Sequence, residues 1–170
     1  MADRNDAYLS IGSNIGDKSG NLDAAVKLMD CHKDISVKAV SSYYRTQPQN
    51  YTDQDWFVNA VVEIKTGLDP VSLLDALKRL EADLDKAGKP FRFGPRIIDL
   101  DIIYYGNHIL KSQRLEIPHP RMHERCFVLV PLRDIGPDIT HPVSGLTPDE
   151  LLQNIEEQQT QKVVLLDKES

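Results

Sequence analysis

Ile97-Ile98-Asp99-Leu100-Asp101-Ile102-Ile103-Tyr104-Tyr105 is apolar and mostly β-branched or aromatic, interrupted only by two carboxylates two residues apart. That composition and length predict a strand. Side chains alternate along a strand, so Ile98, Leu100, Ile102 and Tyr104 are expected to face a core. Asp99 and Asp101 then stand together on the opposite face, about 7 Å apart by strand rise. Upstream, Asp69-Pro70 supplies a capping acid and a proline at the first helical position. Leu73, Leu74, Leu77, Leu80 and Leu84 follow at helical spacing and predict a helix to about Lys86. Phe57 to Lys65 reads as another strand, and Ile35 to Tyr44 as one before it. Leu22, Ala25, Val26 and Met29 give a helix over Asn21 to Cys31, and Ala7 to Ile11 a first strand. The order is strand, helix, strand, strand, helix, strand. It predicts an α+β fold: a ferredoxin-like βαββαβ core, mostly antiparallel, with helices on one face.

Residues 107 to 170 are expected to wrap that core as a C-terminal extension. Arg121 to Ile135 should hold a helix around Pro131, and Thr147-Pro148-Asp149-Glu150 has the pattern of a capping box. Lys162 to Leu166 can add an edge strand. The 170 residues fit one domain, expected to stand without a fused partner enzyme. Hydrophobic residues at 41% and charged residues at 27% are those of a globular protein. A net charge of -6 argues against nucleic acid as a partner. No run of 18 apolar residues occurs, which argues against a membrane span. The polar start of the chain has no apolar signal region, and Cys31 and Cys126 are too few for a disulfide framework or a four-thiolate zinc site. A cytoplasmic setting and a monomer are the expectations.

Two neighbouring carboxylates repel, and a divalent cation relieves the conflict. Oxygen donors without Cys or His nearby favour Mg²⁺ or Mn²⁺, and Mg²⁺ commonly pairs one or two carboxylates with phosphate oxygens. Lys86, Lys89, Arg92 and Arg96 run directly into the Asp strand, with no acid between residues 86 and 98. Lys111, Arg114, Arg121, Arg125 and Arg133 form a second basic stretch. Arginine forks beside a metal-binding acid pair suit a polyphosphate. Gly12-Ser13-Asn14-Ile15-Gly16-Asp17-Lys18-Ser19 is not a phosphate loop, because Asp17 breaks the required Gly-Lys dipeptide. No G-x-G-x-x-G occurs.

Phe93-Gly94-Pro95-Arg96-Ile97-Ile98-Asp99-Leu100-Asp101-Ile102-Ile103 closely resembles the signature of the 6-hydroxymethyl-7,8-dihydropterin pyrophosphokinase family of folate biosynthesis. Tyr8 to Asn14, Ser41 to Thr46, Phe57 to Ala60 and Pro118 to Leu129 resemble further blocks of that family, in order. The resemblance implies transfer of pyrophosphate from ATP to the hydroxymethyl group of a reduced pterin, with release of AMP. It implies two Mg²⁺ ions on Asp99 and Asp101, and catalytic roles for Arg96 and Lys86. Arg96, Arg125 and His119 would hold ATP phosphates, Arg92 and Arg114 would contact the nucleotide, and Glu81 its sugar. Phe57 and Phe127 would sandwich the pterin ring, while Asn59 and Thr46 bond its edge. The segments 45–55 and 87–95 would close as lids. Where the family has Gly-Arg after the helix Glu, this chain has Asp85-Lys86, which keeps the charge but loses the guanidinium fork.

Two other readings fit parts of the same pattern. A phosphohydrolase or nucleotidyltransferase also uses an Asp-x-Asp pair, though the aspartyl-phosphate type has it near the chain start at a strand end. A ligand-sensing module on the same sheet needs neither the acid pair nor the arginines.

Overall fold

The computed structural model describes residues 5–48, 53–85, 96–155 and 161–166. In chain order these are β1 (Asn5–Ser13), α1 (Lys18–Cys31), β2 (Ile35–Val40), β3 (Tyr44–Thr46), β4 (Phe57–Thr66) and α2 (Pro70–Leu84). Then come β5 (Asp99–Tyr105), β6 (Leu110–Lys111), β7 (Glu116–Ile117), a 3₁₀ turn at Met122–Glu124, α3 (Cys126–Ile135), α4 (Pro148–Ile155) and β8 (Val163–Leu165). Local chemistry sets several of the ends. Asp69 accepts from the Ser72 N–H at 2.9 Å and starts α2; Asp17 accepts from Gly20 at 3.1 Å and starts α1. Thr147 and Glu150 bond each other's backbone N–H at 3.2 and 3.3 Å, the reciprocal pair expected ahead of α4.

The main sheet runs β5–β1–β4, with β2 and β3 both paired to β4, and β8 outside β3. Each of these pairings is antiparallel. The strand expected over Ile35 to Tyr44 divides in two. At the division the Ser41 hydroxyl accepts from the Val61 N–H at 2.9 Å, so a side chain stands in for the ladder. One face carries Leu9, Ile11, Ala60, Val62, Ile64 and Leu100, buried against Leu22, Ala25 and Met29 of α1 and Leu73 and Leu77 of α2. Each such leucine contributes about 1.5–3 kcal/mol by leaving water.

The other face is not left open, as helices on one face alone would leave it. Val128, Leu129 and Leu132 of α3 and Leu151, Leu152 and Ile155 of α4 bury Val61, Ile103 and Tyr104 against it. Tyr104 was expected beside Leu100 and Ile102, and here the alternation fails. Tyr8 pairs with Tyr104 but Leu9 with Ile102, so Ile103 is an extra residue on β5. Such a bulge turns Ile103 and Tyr104 to the same side. The Ile103 carbonyl accepts from the His119 N–H at 3.0 Å and brings that histidine beside β5. The candidate site lies at the end of this second face where Gly12 pairs with Asn59 on one side and Asp99 on the other.

Candidate active site

Asp99 and Asp101 precede the bulge, and strand alternation holds them on the second face, as expected. On the central strand β1, Gly12 stands beside Asp99 and Ser10 beside Asp101. Across β1, Gly12 also pairs with Asn59 of β4. A Cβ at Gly12 would lie 2.3 Å from Asn59 Oδ1, so this place in the row takes glycine. Phe57 is close on the same floor, with Cδ1 3.8 Å from that Cβ position. Asn59 Nδ2 donates to Thr46 Oγ1 at 2.6 Å. The structure therefore brings Phe57, Asn59 and Thr46 together, and sets the acid pair on the far side of β1.

Arg96 forms an ion pair with Asp99, with both side chains largely covered. Its Nε is buried without a hydrogen-bond partner among the described residues. Asn14 holds this arginine in place: its Oδ1 accepts from the Arg96 N–H at 2.7 Å, and its own N–H donates to the Arg96 carbonyl at 3.0 Å. The Asn14 amide also donates to Gln54 Oε1 at 2.7 Å and the Asp55 carbonyl at 3.3 Å. One buried amide thus ties the arginine segment to the segment entering β4.

Burial pushes the Asp101 carboxyl up to about 6, and the Asp99 charge adds to the rise. Lys78 and Arg125 pull it back. Arg125 stands just before α3 and is itself pulled down by burial, against the attraction of Asp101 and Asp99. Its guanidinium lies 5.4 Å from the Phe127 ring centre. Burial, with Arg125 and Arg121 nearby, pushes His119 down to about 4. This imidazole is neutral at pH 7, and its Nδ1 accepts from the Arg121 N–H at 3.1 Å. The proton therefore sits on Nε2, which makes His119 a neutral donor toward an anion rather than a charge.

Glu81 is 6% exposed and turned into the fold. Its Oε2 accepts from the Leu100 N–H at 2.7 Å, between the two aspartates, and Lys78 approaches its Oε1 at 3.3 Å. Arg114 is exposed and ion-paired with Asp75 of α2. Lys86 and Arg92 lie outside the described residues, as do 87–95 and 49–52 of the expected lids. Two residues escaped sequence reasoning as working parts. Asn14 was visible only as the last residue of the Tyr8 to Asn14 block, with no task of its own. Tyr44 donates its hydroxyl to Asp134 at 2.6 Å and ties β3 to α3; nothing local to Tyr44 signals that contact.

The acid pair fits a divalent cation by its donors: two one-sided carboxylates whose joint charge is costly without one. Among the described residues no three His, Cys, Asp or Glu side chains cluster closely enough to enclose a metal. That donor set suits Mg²⁺, whose shell is commonly completed by water and substrate phosphate.

Residues 8–137 match the family described as 7,8-dihydro-6-hydroxymethylpterin-pyrophosphokinase. The 2-amino-4-hydroxy-6-hydroxymethyldihydropteridine pyrophosphokinase of Methylorubrum extorquens is 44% identical over 150 residues, covering 88% of this chain and 93% of that protein. The protein of the same name from Bacillus subtilis is 41% identical over 146 residues, 86% of this chain and 87% of its own length. A folic acid synthesis protein of Dictyostelium discoideum is 42% identical over 154 residues, but this chain spans only 23% of it. The fold is also that of wild-type Plasmodium falciparum HPPK-DHPS crystallised with pteroate, with a TM-score of 0.72 at 17% identity over 93% of this chain and 44% of that one. The chain belongs to the 7,8-dihydro-6-hydroxymethylpterin-pyrophosphokinase family.

Proposed function

We propose that this chain transfers the terminal diphosphate of ATP to the hydroxymethyl group of 6-hydroxymethyl-7,8-dihydropterin in folate biosynthesis. The hydroxymethyl oxygen attacks the β-phosphorus, the bond from that phosphorus to the α,β-bridging oxygen breaks, and AMP leaves. The hydroxyl proton passes to solvent. One observation carries the reading: the acid pair and Arg96 sit across the single strand β1 from Phe57 and Asn59, whose floor Thr46 extends, on the same face. A triphosphate on the first and a flat ring on the second would meet over Gly12.

The side chains would then divide the tasks among them. Asn59 and Thr46 bond the ring edge, and Phe57 and Phe127 stack on it. Arg96 and Arg125 grip phosphate oxygens with guanidinium forks, and His119 donates from Nε2. Two Mg²⁺ ions held by Asp99 and Asp101 would neutralise charge at the attacked phosphorus and lower the pKa of the attacking hydroxyl. Glu81 supports β5 through Leu100 and would also contact the nucleotide's sugar. Arg114 would leave Asp75 to reach the nucleotide. Lys86 and Arg92, from the basic segment, complete the phosphate set. Catalysis is then positioning and electrostatic stabilisation.

The strand order β5–β1–β4–β2, with α1 and α2 on one face, supports a ferredoxin-like assignment, with residues 107–170 as an extension that covers the second face. We read residues 1–170 as a single, monomeric pyrophosphokinase domain, working in the cytoplasm on ATP and a reduced pterin. No described helix is long and apolar enough to cross a membrane. Incubation with ATP, Mg²⁺ and the reduced hydroxymethylpterin should give AMP and the pterin diphosphate in equal amounts. ADP as the nucleotide product would refute the reading.

A further inference from the structure

After α4 the chain returns to the sheet, beyond residues 8–137, which match the family. There β8 pairs with β3: Thr46 lies opposite Val163, Arg45 opposite Val164, and Tyr44 opposite Leu165. Core burial does not explain this placement, because Val164 and Leu165 are 50% and 61% exposed. The segment is fastened at both ends instead. At one end the Gln47 N–H donates to the Lys162 carbonyl at 3.0 Å, and the Lys162 N–H donates to Gln47 Oε1 at 3.3 Å. Gln161 Nε2 donates to the Gln47 carbonyl at 2.7 Å. At the other end the Leu166 N–H donates to the Tyr43 carbonyl at 2.9 Å, and the Leu166 side chain packs on the main core.

The strand so held has one further role. β3 is three residues long, and β4 supports its other edge. A pairing that short is marginal alone. Yet β3 carries Thr46, whose hydroxyl oxygen engages Asn59 Nδ2 and leaves Asn59 Oδ1 turned over Gly12. Any slip of β3 moves Thr46 and frees the Asn59 amide to rotate.

We propose that residues 161–166 form a strap that fixes β3 and thereby sets the Thr46–Asn59 pair, a positioning element for the affinity of the flat substrate. The inference rests on the proposed function, which places that pair at the pterin edge. It assigns the C-terminal segment a part in recognition, although none of its residues belongs to the substrate floor.

The test is Val164→Pro. Gln47–Lys162 and Tyr43–Leu166 are each joined by a ladder bond, so by antiparallel alternation Arg45–Val164 is a hydrogen-bonded pair too. Proline removes the donor there, and Val164 is exposed enough that no core packing is lost. Val164→Thr keeps the donor, and Gln161→Ala, which removes one fastening, is a milder second variant. With Mg²⁺ and a non-hydrolysable ATP analogue present, Val164→Pro should raise the Kd of 6-hydroxymethylpterin about 5- to 10-fold, the loss of about one net hydrogen bond. Gln161→Ala should raise it about 2- to 3-fold by loosening the same bond in part. The Kd of the analogue and kcat at saturating pterin should stay at wild-type values, as should every value for Val164→Thr. Amide exchange at Arg45 and Gln47 should quicken in Val164→Pro without any ligand. Unchanged pterin affinity in both weakened variants would refute the strap. So would an equal loss for pterin and nucleotide, or a fall in kcat at constant KM, since either marks general damage. Wild-type protein that binds no pterin would overturn the proposed function and this inference with it; unchanged amide exchange would overturn the strap alone.

Discussion

Asp101→Asn should inactivate the enzyme and yet make the metal-free protein more stable at neutral pH. The carboxyl titrates near 6 in the fold, raised first by burial and then by Asp99. In the unfolded chain it titrates near 3.9. The folded state therefore holds its proton more tightly, and stability falls as pH rises from about 4 through about 6. Below about 4 both states are protonated and the penalty is absent. Above 6 the full difference of about 2 units applies, about 3 kcal/mol of native-state cost. Asparagine has the same shape and no charge to desolvate. Urea unfolding in EDTA should show wild type gaining about 2–3 kcal/mol between pH 7.5 and pH 4.5 from this group, and Asp101→Asn lacking that gain. At pH 7.5 the variant should be the more stable by a similar amount. Millimolar Mg²⁺ with a nucleotide should stabilise wild type and leave the variant unmoved. A variant less stable than wild type at pH 7.5, with an identical pH profile, would refute the claim that this acid is held at a cost for its charge.

Other perturbations follow from the same geometry. Gly12→Ala should cost about 1–3 kcal/mol in thermal unfolding and weaken pterin binding, because its Cβ meets Asn59 Oδ1 at 2.3 Å; a pterin Kd at the wild-type value would show that the floor is not tight. Glu81→Ala should cost about 1–3 kcal/mol by stranding the buried Leu100 N–H, and Glu81→Gln much less, since its amide oxygen can still accept; equal losses in denaturant unfolding would mean the carboxylate charge matters more than the acceptor. Asp99→Ala should abolish turnover with the circular dichroism of the fold intact, and near-normal diphosphate transfer would remove Asp99 from the mechanism.

How far the sequence could be read depended on the range of the interaction. The caps at Asp69 and Thr147 are local chemistry, and each was realised as a hydrogen bond within three residues. The cap at Asp17 went unread, and α1 starts three residues before the expected Asn21. The shared face of Asp99 and Asp101 needed only the period of a strand. Tyr104 was misplaced because a bulge is decided by the neighbouring strand: Tyr8 and Leu9 skip Ile103, and no residue of β5 announces it. The split between β2 and β3 turns on one serine hydroxyl reaching Val61. Asn14 and Arg96 are 82 positions apart, and Tyr44 and Asp134 are 90 apart. Contacts of that span carry no pattern that a single sequence can display. Glu81 was marked as a helix acid with a ligand role, and its inward turn to Leu100 became visible only when α2 was placed beside β5.

The central claim is that the acid pair and its arginines direct attack to the β-phosphorus rather than the γ. ATP labelled at its β-phosphorus, incubated with the protein, Mg²⁺ and 6-hydroxymethyl-7,8-dihydropterin, measures this directly. The account predicts that the label moves to the pterin product as unlabelled AMP accumulates one for one. Label retained in ADP, with a pterin monophosphate formed, would contradict it.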